Sequence, residues 1–137
     1  MSISKNKVLT FKGAVMTWEC DSNRHMNVMY YVNKFEHAGR NFNFELGLFE
    51  LETDKALGIV VLEQQIKYLR EVFEDDILYI ESTLLEVGNK AFKQFHEMYN
   101  AKTKELVSTM HTVMVLFDKE NRKSLPFPKE KRVELGF

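Results

Sequence analysis

Between residues 28 and 46, apolar side chains recur every three or four positions, which is the spacing of one face of an α-helix. The pattern predicts a helix of about 20 residues, with Asn27 as its N-cap and Gly47 just past its end. We expect Asn33, Lys34, His37 and Asn41 to lie on the other faces. The apolar face consists of Val28, Tyr31, Phe35, Ala38, Phe42 and Leu46.

Elsewhere the period of the apolar pattern shortens towards two residues, which is typical of β-strands. Gly88 and Asn89 separate two of these segments and predict a tight hairpin, because both residue types tolerate positive φ. Pro126 and Pro128 predict an extended C-terminal tail. The predicted strands are residues 8–16, 59–70, 77–87, 90–99 and 106–117.

The order of these elements, one strand, a long helix and then four strands, predicts an α+β fold in a single domain over residues 1–137. We expect an antiparallel β-sheet to wrap around the long central helix and to bury one face against it. Strand 59–70 is long enough to leave many unpaired backbone groups at a sheet edge. The sequence therefore predicts a homodimer with a continuous sheet, or a dimer of such dimers.

Composition narrows the classes of function. Of the 137 residues, 19 are Lys or Arg and 20 are Asp or Glu, giving a net charge of -1, which argues against a nucleic-acid-binding module. Apolar runs fall short of the ~18 residues of a membrane span, so no membrane partner is predicted. The single cysteine, Cys20, fits a reducing compartment, and we expect a cytoplasmic protein.

The segment between the first strand and the helix places Asp21, Asn23, His25 and Asn27 at alternate positions. Free backbone N–H groups and the helix dipole can stabilise a negative oxygen at such a place. From the residues alone, Asp21 and Asn23 also fit an ordinary turn, and Asn27 fits a helix cap. A structural hydrogen bond accounts for His25 as well as catalysis does.

The Asp-x-Asn-x-His-x-Asn pattern from Asp21 to Asn27 is similar to that of plant acyl-ACP thioesterases. Nearly the whole chain resembles hotdog-fold thioesterases of the 4-hydroxybenzoyl-CoA thioesterase-like branch. Where many of these proteins have Gly directly before the His, this chain has Arg24. The resemblance extends over Tyr30-Tyr31-Val32, Phe35, Ile66-Lys67-Tyr68, Gly88-Asn89 and Pro126-Phe127-Pro128.

The resemblance implies a hotdog fold and an acyl-CoA thioesterase that produces a free carboxylate and coenzyme A. It assigns catalysis to Asp21, which either activates water or attacks the thioester carbonyl directly, with help from Asn23 and His25. A thiolate is a good leaving group, because a cysteine-like thiol has a pKa of about 8.5. One carboxylate and an oxyanion-binding helix end could therefore suffice, with no cofactor.

The resemblance also implies a site shared between two chains, in which the loop and helix of one face a strand of the other. A non-catalytic acyl-thioester-binding protein and a hotdog hydratase or dehydratase remain as alternatives. The implied substrate-binding residues are Arg24, Met26, Asn27, Val28, Tyr30 and Tyr31 from the first chain, and Glu63, Gln65, Lys67 and Tyr68 from the second.

Other candidate chemistry is weaker. Glu36 and Glu63 could supply a second carboxylate, but solvation or pairing explains them as well. Neither HExxH nor CxxC occurs, so no metal site is predicted. Cys20 adjoins Asp21, and a neighbouring anion raises a thiol pKa, so we do not expect Cys20 to be a nucleophile.

Overall fold

The computed structural model describes residues 6–52 and 56–137. In this part, one long helix, one short helix and six strands are joined by loops that include two 3₁₀ turns. The strands are β1 Val8–Ala14, β2 Leu57–Tyr68, β3 Ile77–Val87, β4 Ala91–Asn100, β5 Leu106–Asp118 and β6 Lys123–Leu125. The helices are α1 Val28–Glu45 and α2 Lys129–Glu134, and the 3₁₀ turns are Thr17–Glu19 and Leu48–Glu52.

All strand pairs are antiparallel, and the sheet order is β1-β3-β4-β5-β2. β6 pairs with β5 from Leu116 onward. It lies on the same side of β5 as β4, just beyond the last β4–β5 pair, Ala91 with Val115. The prediction of an antiparallel sheet with one long helix is confirmed. β2 lies at an edge, paired only with β5 in the described part of the chain.

The apolar face of α1 forms the centre of the core. Tyr31, Phe35, Ala38, Phe42 and Leu46 are buried as the periodicity predicted, whereas Val28 is 55% exposed in the first helical turn. The predicted ends of the helix are also confirmed. Asn27 Oδ1 accepts a hydrogen bond from the Met29 N–H, and Gly47 follows the helix with a φ of 72°, which is the left-handed conformation typical of that position.

The expectation that Lys34 lies away from the buried face is wrong. Its side chain is buried, with the ammonium 2.8 Å from both carboxylate oxygens of Glu19. Charged side chains are buried when they are paired and hydrogen-bonded, and helical periodicity cannot show a partner that lies 15 residues away.

Two further predictions need correction. β3 and β4 form the expected antiparallel hairpin, but neither Gly88 nor Asn89 has positive φ. Four residues lie between the last pair, Val87 with Phe92, and a loop of this length does not require the mirror-image turn. The tail is not extended throughout, because Lys129–Glu134 forms the helix α2.

Burial explains why the tail folds back. Phe127 is buried, and its ring lies 5.4 Å from that of Phe92. Its N–H donates to the Asn89 carbonyl at 2.8 Å. The tail therefore covers the end of the core beyond the hairpin. In residues 6–52 and 56–137, neither helix is both long and apolar enough to cross a membrane.

Candidate active site

The polar segment before α1 forms a closed turn. The Asp21 N–H donates to the His25 carbonyl at 3.1 Å, and the Arg24 N–H donates to the Asp21 carbonyl at 2.8 Å. Cys20 and Met26 form a single antiparallel bridge at its base. Arg24 has a φ of 64°, the left-handed conformation that glycine adopts most readily. The turn thus presents Asp21 beside the start of the helix.

The Asp21 carboxylate is held by hydrogen bonds at both oxygens. Oδ1 accepts from the Asn23 N–H at 2.9 Å, and Oδ2 accepts from Asn27 Nδ2 at 3.1 Å. These two bonds, the Asn27 bond first, lower the pKa of Asp21, with a smaller contribution from nearby His25. The side chain is 28% exposed, so an ionised carboxylate faces the solvent.

Asn27 connects this carboxylate to the helix. Besides donating to Asp21, its side chain accepts from the Met29 N–H at 3.0 Å, and its own N–H donates to the Glu19 carbonyl at 2.9 Å. The first helical N–H, that of Val28, has no acceptor among the described residues. An exposed backbone donor at the positive end of the helix dipole can bind a negative oxygen.

His25 stands between two carboxylates. Its Nε2 lies 3.9 Å from Asp21 Oδ1, and its Nδ1 lies 3.9 Å from Glu71 Oε1. Both distances are longer than a hydrogen bond. A small movement of the ring would bring His25 within hydrogen-bonding distance of Asp21.

A cleft of about 200 Å³ opens beside this loop, between the first turns of α1 and the end of β2. The Tyr31 and Tyr68 rings meet edge to face at 5.0 Å. The Tyr31 hydroxyl donates to the Arg70 carbonyl at 3.2 Å, and burial raises its pKa to about 12, so Tyr31 stays neutral. The cleft is lined by His25, Met26, Val28, Tyr31, Tyr68, Leu69, Arg70 and Glu71.

The structure brings most of the predicted site residues together. Asp21, Asn23, His25 and Asn27 form the loop, and Met26, Val28, Tyr31 and Tyr68 line the cleft. Arg24 is exposed on the turn, and Tyr30 packs against the core rather than in the cleft.

Three predicted residues on β2 lie elsewhere in this chain. Glu63, Gln65 and Lys67 pair across the sheet with Val113, His111 and Thr109, and cross-strand partners share a face. Exposed His111 packs against Phe95 with the rings tilted by 35°, away from the helix. Glu63, Gln65 and Lys67 therefore face away from this chain's cleft, and their contact with substrate remains a prediction about a second chain.

Sequence reasoning missed two parts of the site. Leu69 and Glu71 line the cleft directly after β2, and their position at a strand end was the available signal. The Glu19–Lys34 ion pair was also missed. It joins the 3₁₀ turn before Asp21 to the second turn of α1, and it fixes the loop relative to the helix.

Cys20 and the acidic residues near it do not form a further reactive centre. Burial, followed by Glu74 and Asp21, raises the pKa of the Cys20 thiol, which keeps it protonated. Within residues 6–52 and 56–137, no group of three or more His, Cys, Asp or Glu side chains is placed to hold a metal ion.

The chain matches one family model and is similar to several solved structures. A sequence model of the Thioesterase-like superfamily matches residues 15–135. The chain is similar in structure to the probable thioesterase YbaW from Escherichia coli, with a TM-score of 0.84 and 22% identity over 93% of this chain and 96% of that one. No curated protein matches the chain.

Two further solved structures are similar. A hypothetical protein from Staphylococcus aureus, solved in complex with CoA, gives a TM-score of 0.83 and 23% identity over 98% of this chain and 85% of that one. A 1,4-dihydroxy-2-naphthoyl-CoA thioesterase from Synechocystis gives a TM-score of 0.80 and 15% identity over 93% of this chain and 94% of that one. At these identities, the likeness in structure shows a shared fold, that of the hotdog proteins.

Proposed function

Since the chain belongs to the Thioesterase-like superfamily and its reaction class is thioester hydrolysis, we propose that the Asp21 loop is the active site of an acyl-CoA thioesterase. The observation that carries the proposal is the ionised Asp21 carboxylate beside the free N–H of Val28. A base or nucleophile and an oxyanion donor are the two groups that acyl transfer requires.

The chemistry follows from these two groups. Asp21 takes a proton from water as the water oxygen attacks the thioester carbonyl carbon, or the carboxylate attacks that carbon itself and water then hydrolyses the mixed anhydride. In both routes the carbonyl oxygen becomes negative and accepts a hydrogen bond from the Val28 N–H. The C–S bond breaks, the sulfur leaves as a thiolate, and the products are a carboxylate and CoA.

Asn27, Asn23 and His25 support this reaction in different ways. Asn27 orients Asp21 through Nδ2 while capping the helix that supplies the oxyanion donor. The Asn23 N–H holds the other carboxylate oxygen. His25, 3.9 Å from Asp21, is placed to receive the proton that Asp21 removes from water.

The cleft supplies the binding site for the acyl group. Its apolar walls, with Val28, Tyr31 and Tyr68, suit the part of the acyl chain nearest the carbonyl. The CoA complex of the similar S. aureus protein supports CoA as the thiol carrier. Exposed Arg24, at the mouth of the loop, is positioned to contact a CoA phosphate.

A homodimer formed through β2 completes the proposal. β2 lies at the sheet edge and carries three exposed apolar residues, Val60, Val61 and Leu62, and pairing with a second β2 would satisfy the unpaired backbone groups of this edge. The proposed reaction needs no cofactor, and the lone cysteine fits a cytoplasmic site.

The test is to measure thiol release from a series of acyl-CoA esters, from butyryl to palmitoyl, together with the matching enoyl-CoA esters. We expect release of free CoA from at least one saturated ester, with equimolar carboxylate. Hydration of an enoyl-CoA without release of CoA would show a hydratase. Tight binding of every ester without turnover would show a binding protein.

A further inference from the structure

A second cleft, of about 100 Å³, lies between the middle of α1 and the sheet. From the helix it is lined by residues including Phe35, Glu36 and Gly39, and from the sheet by residues of β2, β4 and β5. Its volume admits several water molecules or a group of similar size. The mechanism proposed above does not use it.

The sheet wall of this cleft contains three polar residues, Gln94, His96 and Thr112, beside the apolar residues Ile59, Val61, Met110 and Met114. Thr112 pairs across the sheet with Gln94 on β4, and His96 pairs with Met110 in the next row. Gln94 and His96 are fully buried, and Thr112 is 3% exposed. Apolar residues are the usual occupants of such positions, so these polar residues call for a ligand or a structural partner.

Each of the three side chains has a polar atom without a protein partner among the described residues. These atoms are Gln94 Oε1, His96 Nε2 and Thr112 Oγ1. The other polar atom of the Gln94 amide is paired, because Nε2 donates to Asn43 Oδ1 at 2.8 Å. Unpaired buried polar atoms are costly and uncommon, and here all three belong to residues that line one cleft.

The hydrogen bonds that link His96 Nδ1 to Ser82 and Thr10 determine whether the unpaired Nε2 of His96 is a donor or an acceptor. The Thr10 hydroxyl donates its single proton to the Ile80 carbonyl, so Ser82 donates to Thr10 at 2.8 Å. Ser82 Oγ then accepts from His96 Nδ1 at 2.6 Å. Burial lowers the pKa of His96 to about 3. The ring is therefore neutral, and Nε2 presents a lone pair to the cleft.

The wall thus presents two acceptors, His96 Nε2 and Gln94 Oε1, beside a hydroxyl, Thr112, that can donate or accept. We propose that this cleft binds a hydroxyl group carried at the far end of the acyl chain. The ligand hydroxyl donates to one acceptor and receives the Thr112 proton. A methyl end would leave all three protein atoms unpaired once water is displaced. This inference rests on the proposed acyl-CoA substrate.

The distance between the two clefts suits an acyl chain of medium length. Both lie between α1 and β2, with Tyr31 in the first and Phe35 in the second, about one helical turn or roughly 6 Å apart. Gln64 Nε2 donates to Glu36 Oε1 at 2.7 Å across the rim. Residues 35–43 lie roughly 10–22 Å along the helix axis from Val28, the span that the acyl chain must bridge.

Gly39 leaves space on the helix side of the cleft. A Cβ added there would meet nothing within 4 Å. A larger side chain at this position can therefore occupy the cleft without a clash at Cβ. Gly39→Leu thus offers a way to block the site without altering its polar atoms.

The test compares two non-hydrolysable thioethers, dodecyl-CoA and 12-hydroxydodecyl-CoA, by isothermal titration calorimetry. One good hydrogen bond changes affinity by roughly 2–12-fold, so we expect the hydroxylated analogue to bind about tenfold more tightly. Thr112→Val keeps the side-chain shape and should lose most of that preference. Gly39→Leu should weaken both analogues and leave butyl-CoA thioether unaffected.

Thr109→Val is the matched control. It makes the same change on the same strand, at a position that pairs with Lys67 and Glu97 on the opposite face of the sheet, so it should keep the full preference. Thermal melting shows whether each variant is folded. Equal affinities for the two analogues in the wild type, or a preference unchanged in both Thr112→Val and Gly39→Leu, would overturn the proposal.

The outcomes for the cleft and for the proposed function are distinct, because thioether binding does not require hydrolysis. Equal binding by a protein that hydrolyses acyl-CoA overturns the hydroxyl site alone. A protein that hydrolyses no acyl-CoA but prefers the hydroxylated analogue overturns the hydrolase function and leaves the hydroxyl site in place.

Discussion

Arg24 occupies the left-handed position in the turn that carries Asp21, with a φ of 64°. The left-handed conformation costs a residue with a Cβ roughly 1–2 kcal/mol. Glycine, which has no Cβ, adopts this conformation without that cost. Contact with CoA at the loop is the role proposed above for the Arg24 side chain.

Substitutions can separate the effect of the left-handed backbone conformation at Arg24 from the effect of its charge. Arg24→Gly and Arg24→Asn both tolerate the left-handed conformation, so we expect melting temperatures equal to or above that of the wild type. Arg24→Val should be less stable than Arg24→Gly by about 1–2 kcal/mol, and less stable than the wild type, because positive φ is least tolerated by a β-branched residue. KM for acyl-CoA should rise several-fold in the Gly and Asn variants while kcat is unchanged. Equal stability of Arg24→Val and Arg24→Gly would contradict the conformation described for the turn.

The hydrogen bonds to Asp21 predict the acid side of the pH profile. Because the Asn27 amide and the Asn23 N–H lower the pKa of Asp21, the carboxylate stays ionised where an ordinary Asp, with a pKa of about 3.9, would take up a proton. Its contribution to loop stability is present above that ordinary value, and it is lost as the pH falls through the lower, folded-state value.

Asn27→Ser tests this assignment, because serine can still cap the helix but loses the Nδ2 donor. We expect the acid limb of kcat/KM to move to higher pH in Asn27→Ser, as the pKa of Asp21 returns towards its ordinary value. The measurement is kcat/KM of acyl-CoA hydrolysis across acidic and neutral pH. An acid limb at the same pH in both proteins would show that Asp21 does not control it.

At the level of elements, the 3₁₀ turn before the loop is joined to α1 by the Glu19–Lys34 ion pair. Both side chains are buried, and the ammonium lies 2.8 Å from each carboxylate oxygen. Removing one partner of a buried pair leaves an uncompensated charge, which costs about 3–5 kcal/mol. The pair therefore determines how firmly the Asp21 loop is held on the helix.

We predict that Lys34→Met destabilises the protein by about 3–5 kcal/mol, measured by urea unfolding. The double variant Glu19→Gln/Lys34→Met should recover most of the loss, because Gln keeps an oxygen that can accept from the Met16 N–H. The control is Lys93→Met, which breaks an exposed pair with Glu86 at 3.4 Å and should cost less than about 1 kcal/mol. Similar losses for Lys34→Met and Lys93→Met would contradict the role assigned to burial.

Sequence patterns predicted some features of these elements but not others. The helix ends at Asn27 and Gly47 and the strands after residue 56 were predictable, because capping and alternation are local properties. The burial of Lys34 was not, since it depends on Glu19, which only the fold brings close. The polar group of Gln94, His96 and Thr112 was also missed, because alternation shows which residues share a face but not whether that face is filled.

On the scale of the whole molecule, the open edge of β2 is the feature on which the proposed dimer rests. Val60, Val61 and Leu62 are exposed on this strand, and its outward residues Glu63, Gln65 and Lys67 turn away from the cleft of their own chain. A second chain paired at this edge would satisfy its unpaired backbone groups and cover part of the apolar run.

Leu62→Lys tests the dimer, because a charge on an edge strand opposes pairing with a second strand. We expect a folded monomer by light scattering with little thioesterase activity, since each site would lose its second chain. Leu85→Lys, at another exposed leucine on β3, is the control and should remain an active dimer. A fully active Leu62→Lys monomer would contradict the shared site.

The most direct test of the central claim, that Asp21 performs the chemistry, is kcat for acyl-CoA hydrolysis by Asp21→Asn beside Asp118→Asn. Asp118 is a matched control, because it too accepts turn hydrogen bonds, from the Glu120 and Asn121 N–H groups, and they likewise lower its pKa. Loss of an essential proton-transfer group should reduce kcat by roughly 10²–10⁴-fold in Asp21→Asn, with an unchanged melting temperature, whereas Asp118→Asn should stay within a few-fold of the wild type. Equal kcat values for the two variants would contradict the assignment of Asp21 as the catalytic group.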